Sequence, residues 1–200
     1  MVPRMSSPLP TSVQRRRQTV DRLIWFCLAF LLSQGLRTGV FANRPLHPEE
    51  MSLLFQTRNF AEGRVAVPAG ELDALLMREP LVVRTRRGWV SPHAPGHSVW
   101  MVPGFLLGNA GWMVAISAGL CVVLAYDTGR RLKLPHLLLP TLWLLSPFFL
   151  FLHGTLMRET TGMLISAALL HRYIVWQQEG RWQTALTCGL LGAALIVTKP

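Results

Sequence analysis

Gly111-Trp112-Met113-Val114-Ala115-Ile116-Ser117-Ala118-Gly119-Leu120-Cys121-Val122-Val123-Leu124-Ala125-Tyr126 has no charged side chain, and Asp127-Thr128-Gly129-Arg130-Arg131-Leu132-Lys133 follows it at once. As a helix rising ~1.5 Å per residue the apolar stretch reaches ~24 Å, near the short end of what crosses a bilayer core of ~30 Å. A cluster of cations against one end of such a stretch marks the side that stays in the cytoplasm. Working outward toward the C-terminus, residues 137–152, 160–176 and 182–197 repeat the pattern as a third, fourth and fifth span, joined by the short segments 153–159 and 177–181. Toward the N-terminus, the apolar run from Val99 is broken by Pro103-Gly104 and Gly108-Asn109, which predicts a short interfacial or broken helix ahead of the span. Before it lies a mixed polar loop, 43–97, and before that a first apolar stretch, 23–41. A secretory signal peptide is the competing reading of 23–41, because Val40-Phe41-Ala42 resembles a small-residue cleavage site. Signal cores run about 7–15 residues, and the greater length here favours an uncleaved span. Residues 1–22, rich in Pro and Ser and carrying Arg15, Arg16, Arg17 and Arg22, read as a disordered basic cytoplasmic tail.

The expected fold class is therefore all-α, a multi-pass transmembrane bundle of about five spans over 23–200. Its first loop, 43–97, is long, extracytoplasmic and holds a short amphipathic helix from Pro48 to Glu62. Pro48 suits the first helical position, Glu49 and Glu50 suit the positive end of the helix dipole, and Gly63 is a plausible stop. The tail and the Arg130/Arg131/Lys133 loop share the cytoplasmic side, so loop 43–97 and turn 153–159 face outward together. That loop also holds Arg44, Arg58, Arg64, Arg78, Arg84, Arg86 and Arg87, but long loops follow the charge rule poorly. Of the 200 residues, 50% are hydrophobic and only 15% charged, with a mean hydropathy of +0.33, whereas soluble domains carry about 25% charge. The net charge of +10 is not a nucleic-acid signature, because the arginines flank apolar runs instead of forming a basic face interleaved with aromatics. Cys27, Cys121 and Cys188 all lie in apolar stretches at spacings that match no metal or disulfide motif. Thr198-Lys199-Pro200 follows an apolar run without a polar tail, which predicts that the chain continues in a longer protein.

Reactive side chains gather in the outward segments. In Leu46-His47-Pro48-Glu49-Glu50, a carboxylate just beyond the first span could act as general base on an acceptor hydroxyl. Neighbouring helical positions point about 100° apart, so the two acids do not form a close dyad: one could face a site while the other caps or orients. The alternative is that both only complement the helix dipole. In the turn 153–159, Arg158 and Glu159 sit either at membrane depth, where charge is costly and functional, or at the interface, where it costs little. In Arg86-Arg87-Gly88-Trp89-Val90-Ser91-Pro92-His93-Ala94-Pro95-Gly96 the arginines suit phosphate and the tryptophan suits the interface; an ordinary loop with an aromatic anchor is the alternative. His47, His93 and His97 could together bind a metal, though their spacing is not diagnostic. Phosphate-loop, dinucleotide, nucleophile-elbow and zinc-helix motifs do not occur.

The order of these features resembles the N-terminal half of polyprenol-dependent membrane glycosyltransferases of the C-type fold, the group that includes protein O-mannosyltransferases and aminoarabinose transferases. The resemblance covers residues 20–200. It runs through Pro48-Glu49-Glu50-Met51-Ser52-Leu53-Leu54-Phe55-Gln56-Thr57-Arg58-Asn59-Phe60-Ala61-Glu62-Gly63-Arg64, the element from Arg87 to Gly96, the turn Gly129-Arg130-Arg131-Leu132, the run Leu145-Ser146-Pro147-Phe148-Phe149-Leu150 and the closing Thr198-Lys199-Pro200. It implies a hexosyl or pentosyl transferase of a bacterial inner membrane, N-terminus cytoplasmic, that moves a sugar from a polyprenyl-phosphate carrier to an acceptor on the extracytoplasmic face. The lipid-linked donor is the co-substrate, a divalent metal is compatible, membrane lipid is the surrounding partner and nucleic acid is not. The catalytic role falls on Glu49 and Glu50, and Arg58, Arg86, Arg87, His93, Arg158 and Glu159 form the substrate-binding set. Three positions depart from the family pattern: Glu49 stands where the first acid is usually Asp, Glu159 where many relatives have His, and Pro92-His93 where Lys-Tyr is common. The rival reading is a non-catalytic multi-pass protein, a transporter component or envelope assembly factor. Transporters place charge at mid-membrane, whereas here it gathers at the outward face.

Overall fold

The computed structural model describes residues 12–68, 70 and 81–198; Arg78, Lys199 and Pro200 lie outside them. The described chain is mostly helical. Helix α1, Ser12–Gly35, continues through a π-helical turn, Leu36–Val40. Then come α2, Pro48–Ala61, a two-stranded antiparallel hairpin of β1, Val83–Thr85, and β2, Gly88–Val90, and the helices α3, Pro95–Leu106, and α4, Gly111–Arg131. The chain ends in α5, Leu138–Leu145, α6, Pro147–Gly154, α7, Glu159–Glu179, and α8, Trp182–Thr198.

Two helices are long and apolar enough to cross a membrane by length and composition: the 29-residue run Ser12–Val40 and the 21-residue α4. α8 is also apolar but has 17 residues. The stretch 137–152, expected as one helix, is two. Ser146 takes an extended conformation because Pro147 follows it, and its hydroxyl then accepts from the Phe149 N–H at the start of α6. The basic segment expected as a disordered tail is helical from Ser12 onward. Glutamine and arginine are good helix formers, and the segment is tied down: the Tyr126 hydroxyl donates to Asp21 and the Arg22 guanidinium donates to Asp127, both at 2.9 Å. Helix α2 begins at Pro48, as expected, and the chain turns at Gly63 with a φ of 73°. The hairpin was not legible in the sequence. Gly88 is obligatory in it, because a Cβ there would lie 2.0 Å from the Val67 carbonyl oxygen, which pairs with Trp89 to extend the ribbon.

The same cross-links show that α1 and α4 run antiparallel: Asp21 and Arg22 meet the end of α4, while Gln34 donates to the Gly111 carbonyl at its start. Gly119 lets the two helices close, since a Cβ there would sit 2.5 Å from the Phe26 ring. Ala29, Ala118, Cys121, Val122, Leu144 and Phe149 form the core between α1, α4 and the α5–α6 pair. A second core, Leu53, Met101, Ala110, Val114 and Leu156, fastens α2 and α3 onto the start of α4 and the turn after α6. Helix α7 lies parallel to α4, with His171 beside Thr128 and Arg131 reaching Gln178 and Glu179. One end of the bundle thus collects Arg15, Arg16, Arg17, Arg22, Arg130, Arg131, Lys133 and Arg181, and the other collects α2, α3 and the 155–158 turn. The outer faces of the bundle expose apolar side chains, among them Leu23, Ile24, Leu31, Leu142, Leu145, Phe148, Leu190 and Ile196, a pattern that marks an interaction or membrane surface.

Candidate functional site

Because α2 starts at Pro48, both acids fall in its first turn, and the 100° step between them sends them to different environments. Glu49 is partly exposed and meets the turn before α7: its Oε1 lies 3.0 Å from Arg158 Nε and 4.0 Å from His93 Nδ1. Neither Glu49 Oε1 nor Arg158 Nε completes a hydrogen bond of normal geometry, so the contact is an ion pair. On its other side Arg158 Nε lies 3.8 Å from Glu159. Residues from three separated segments, 49, 93 and 158–159, thus form one cluster.

Glu50 points inward and has no exposure at all. Neither of its oxygens has a hydrogen-bond partner of normal geometry among the described residues. Burial pushes its carboxyl above the ordinary glutamate range, opposed by the nearby Leu156 and Leu46 backbone amides and by the charges of Arg37 and His47. Arg37 is itself only 5% exposed. The π-helical turn aims it inward, its Nε donates to Asn43 Oδ1 at 2.8 Å, and Gly111 leaves the space it needs. Asn43 can accept because it sits in the left-handed region, with a φ of 56°.

A polar scaffold fixes these parts. His97 Nε2 lies 2.9 Å from the Leu156 carbonyl, which can only accept, so that nitrogen carries the proton; Nδ1, 2.7 Å from Thr161 Oγ1, accepts the hydroxyl proton. Burial pushes His97 down to about 4, offset in part by the Leu156 carbonyl, and so keeps it neutral. It pins α3 to both sides of Arg158. Gln56 holds the loop of His93, donating to the His93 carbonyl and accepting from the Ser98 hydroxyl. Burial also pushes His93 down, against the pull of Glu49 and Glu159 and with the push of Arg158.

Of the residues singled out in the sequence, Glu49, His93, Arg158 and Glu159 are brought together, and Glu50 lies beneath them. Arg58, Arg86 and Arg87 are elsewhere. Arg58 is exposed, pairs with Glu62 at 2.9 Å and lies ~14 Å further along α2 by helix rise. Arg86 and Arg87 are exposed at the hairpin turn, where they line an open depression with Arg84 and Pro68. Of His47, His93 and His97, His97 spends both ring nitrogens on Thr161 and Leu156. Among the described residues no group of three or more His, Cys, Asp or Glu is arranged to hold a metal. Arg37 was missed, although an arginine in an apolar run is a signal in its own right.

Beside Glu159 a groove of about 390 Å³ opens between α6, α7 and α8, lined otherwise by apolar or small side chains that include Phe148, Leu152, Gly162, Met163 and Leu195. The site is therefore a charged cluster at the mouth of an apolar groove. No family model, curated protein or solved structure matches the chain.

Proposed function

We propose that the protein is a membrane glycosyltransferase that moves a sugar from a polyprenyl-phosphate carrier to an acceptor on the extracytoplasmic face. The observation that carries this reading is the continuity, at Glu159, between the Glu49–Arg158–His93 cluster and the apolar groove. A lipid-linked phosphate demands that pairing: a guanidinium for the phosphate and an apolar slot for the chain. In this reading α1, α4, the α5–α6 pair, α7 and α8 are five spans, the basic end is cytoplasmic, and the cluster faces out of a bacterial inner membrane. The isoprenoid chain lies in the groove and Arg158 holds the phosphate, its planar fork matching the oxygens. Glu49 takes the proton of the acceptor hydroxyl as that oxygen bonds to the anomeric carbon, and the carbon–oxygen bond to the carrier breaks. Polyprenyl phosphate leaves with the bonding pair, its charge met by Arg158. Glu50, out of reach of an acceptor, orients the first turn of α2 instead.

Transfer from radiolabelled polyprenyl-phosphate sugars by the full chain in membranes tests this. Glu49→Gln should lower turnover by about 10²–10⁴-fold, and Arg158→Gln should chiefly weaken use of the donor. Full transfer by Glu49→Gln would overturn the assignment. A second reading, a non-catalytic multi-pass envelope protein, draws on one fact: Arg158 already lies between two carboxylates, and such a clasp can simply fasten α2 to α7. That reading predicts no binding of any polyprenyl-phosphate sugar and a loss of stability, not of turnover, in Glu49→Gln.

A further inference from the structure

The end of the bundle away from Glu49 contains an open cleft of about 740 Å³ between the start of α1, the end of α4 and α7. Four guanidinium groups line it, those of Arg17, Arg22, Arg130 and Arg131. Its carboxylates are already engaged: Asp21 accepts from the Tyr126 hydroxyl and Asp127 pairs with Arg22, both at 2.9 Å. Arg131 is held by Glu179 at 3.3 Å. Arg17 and Arg130 remain, and neither has an ion-pair partner among the described residues. Arg130 lies over the Tyr126 ring, 5.7 Å from its centroid, a contact that fixes its position without neutralising it. Arg17 and Arg130 outnumber the one carboxylate of the cleft without a cation partner, Asp21, so the concave polar cleft keeps an excess of positive charge that suits a phosphate anion. The cleft also stands where the apolar surface begins, since Leu23 and Ile24, directly after Arg22 on α1, are 58% and 57% exposed. An anion whose own apolar chains continue along that surface satisfies both features, and a soluble phosphate satisfies only one.

We propose that this cleft binds the phosphate headgroup of an anionic phospholipid, with Arg17 and Arg130 as its principal donors. The proposal rests on the membrane part of the reading above and not on sugar transfer. The test uses the full chain in mixed micelles, with labelled phosphatidylglycerol and phosphatidylcholine competing. Wild-type protein should retain phosphatidylglycerol preferentially, and Arg17→Gln/Arg130→Gln should lose roughly tenfold or more of that preference. Lys133→Gln/Arg181→Gln removes the same charge from the same end but outside the cleft lining, and it should keep the preference. Equal losses in the two double variants would mean a diffuse surface charge and would overturn the proposal, as would a wild-type protein without preference. Displacement of the lipid by millimolar inorganic phosphate would instead identify a soluble-anion site and overturn the lipid assignment. A chain that washes from membranes at alkaline pH would sink the membrane reading itself, an outcome distinct from an integrated chain that shows no lipid preference.

Discussion

At the end of the bundle that carries α2, Glu50 and Arg37 are both buried, held on elements that the sequence separates and that only the fold brings together. At the basic end Arg22 pairs with Asp127, and Arg131 with Glu179, where solvent still reaches all four side chains. At one end Arg37 and Glu50 influence each other by charge while both are buried, at the other Arg22 and Asp127 touch in solvent, and their energetics differ. Removing one member of a buried pair strands a charge in a low-dielectric interior, whereas removing one member of an exposed pair returns the other to water. The contrast separates charges that the fold seals from solvent from charges that it leaves within reach of water and ligands.

The largest expected effect tests the buried side of that contrast. Arg37→Met removes a charge that lowers the pKa of the buried Glu50 carboxyl and the donor that Asn43 accepts, and should cost about 1–3 kcal/mol in reversible unfolding in detergent. Adding Glu50→Gln should restore part of it, because the stranded carboxyl is gone. A cost below about 1 kcal/mol, the level of surface pairs, would mean that the two ends do not differ.

How much of this was legible in the sequence depends on the length scale. Apolar runs located the helices, and Pro48 and Gly63 mark a helix start and a turn because backbone chemistry is local, whereas the break at Pro147 divides a stretch expected as one span. Ser12 to Arg22 misled, since its order comes from Asp127 and Tyr126, more than a hundred positions away. The pair Glu49-Glu50 was legible as two diverging side chains. Which of them faces Arg158 depends on how α2 seats against α3 and the turn before α7, and no local pattern encodes that. His97 looked like a ligand because spacing cannot reveal that Leu156 and Thr161 claim its two nitrogens. Arg37 was the available signal left unused: a cation between Leu36 and Val40, inside an apolar run, needs a partner.

Midway between the ends the bundle depends on packing alone, which provides a charge-free reference. Gly119→Ala would drive a methyl into the Phe26 ring and should cost about 1–3 kcal/mol through overpacking, with no dependence on salt or pH. A salt-sensitive change would show that α1 and α4 are held chiefly by their end charges. Phe26→Leu should relieve the clash in the double variant.

Acidity sharpens the contrast further. Burial holds the Glu50 pKa above its unfolded value, so the folded state keeps its proton longer than the unfolded state does. Stability from this group is therefore full below the ordinary glutamate value of about 4.3 and declines as pH rises through the higher folded value. Glu50→Gln should flatten the fall in melting temperature between those two values. An unchanged pH profile would mean that the inward carboxyl is solvated after all.

The smallest expected effect lies at the basic end. In the Arg22–Asp127 pair the arginine side chain is 45% exposed and the aspartate 19%, so water solvates whichever member is left. Arg22→Met should therefore cost about 0.2–1 kcal/mol, and that small cost should shrink between 0.05 and 0.5 M salt, where the screening length falls below ~10 Å. Arg37→Met should show no comparable salt dependence, because mobile ions do not reach side chains with so little exposure. If Arg22→Met proved as damaging as Arg37→Met, and equally indifferent to salt, the Arg22–Asp127 contact would have to be a sealed structural pair in the bilayer. The cleft beside it would then be closed to a lipid headgroup, because Arg17 and Arg130 border the same space.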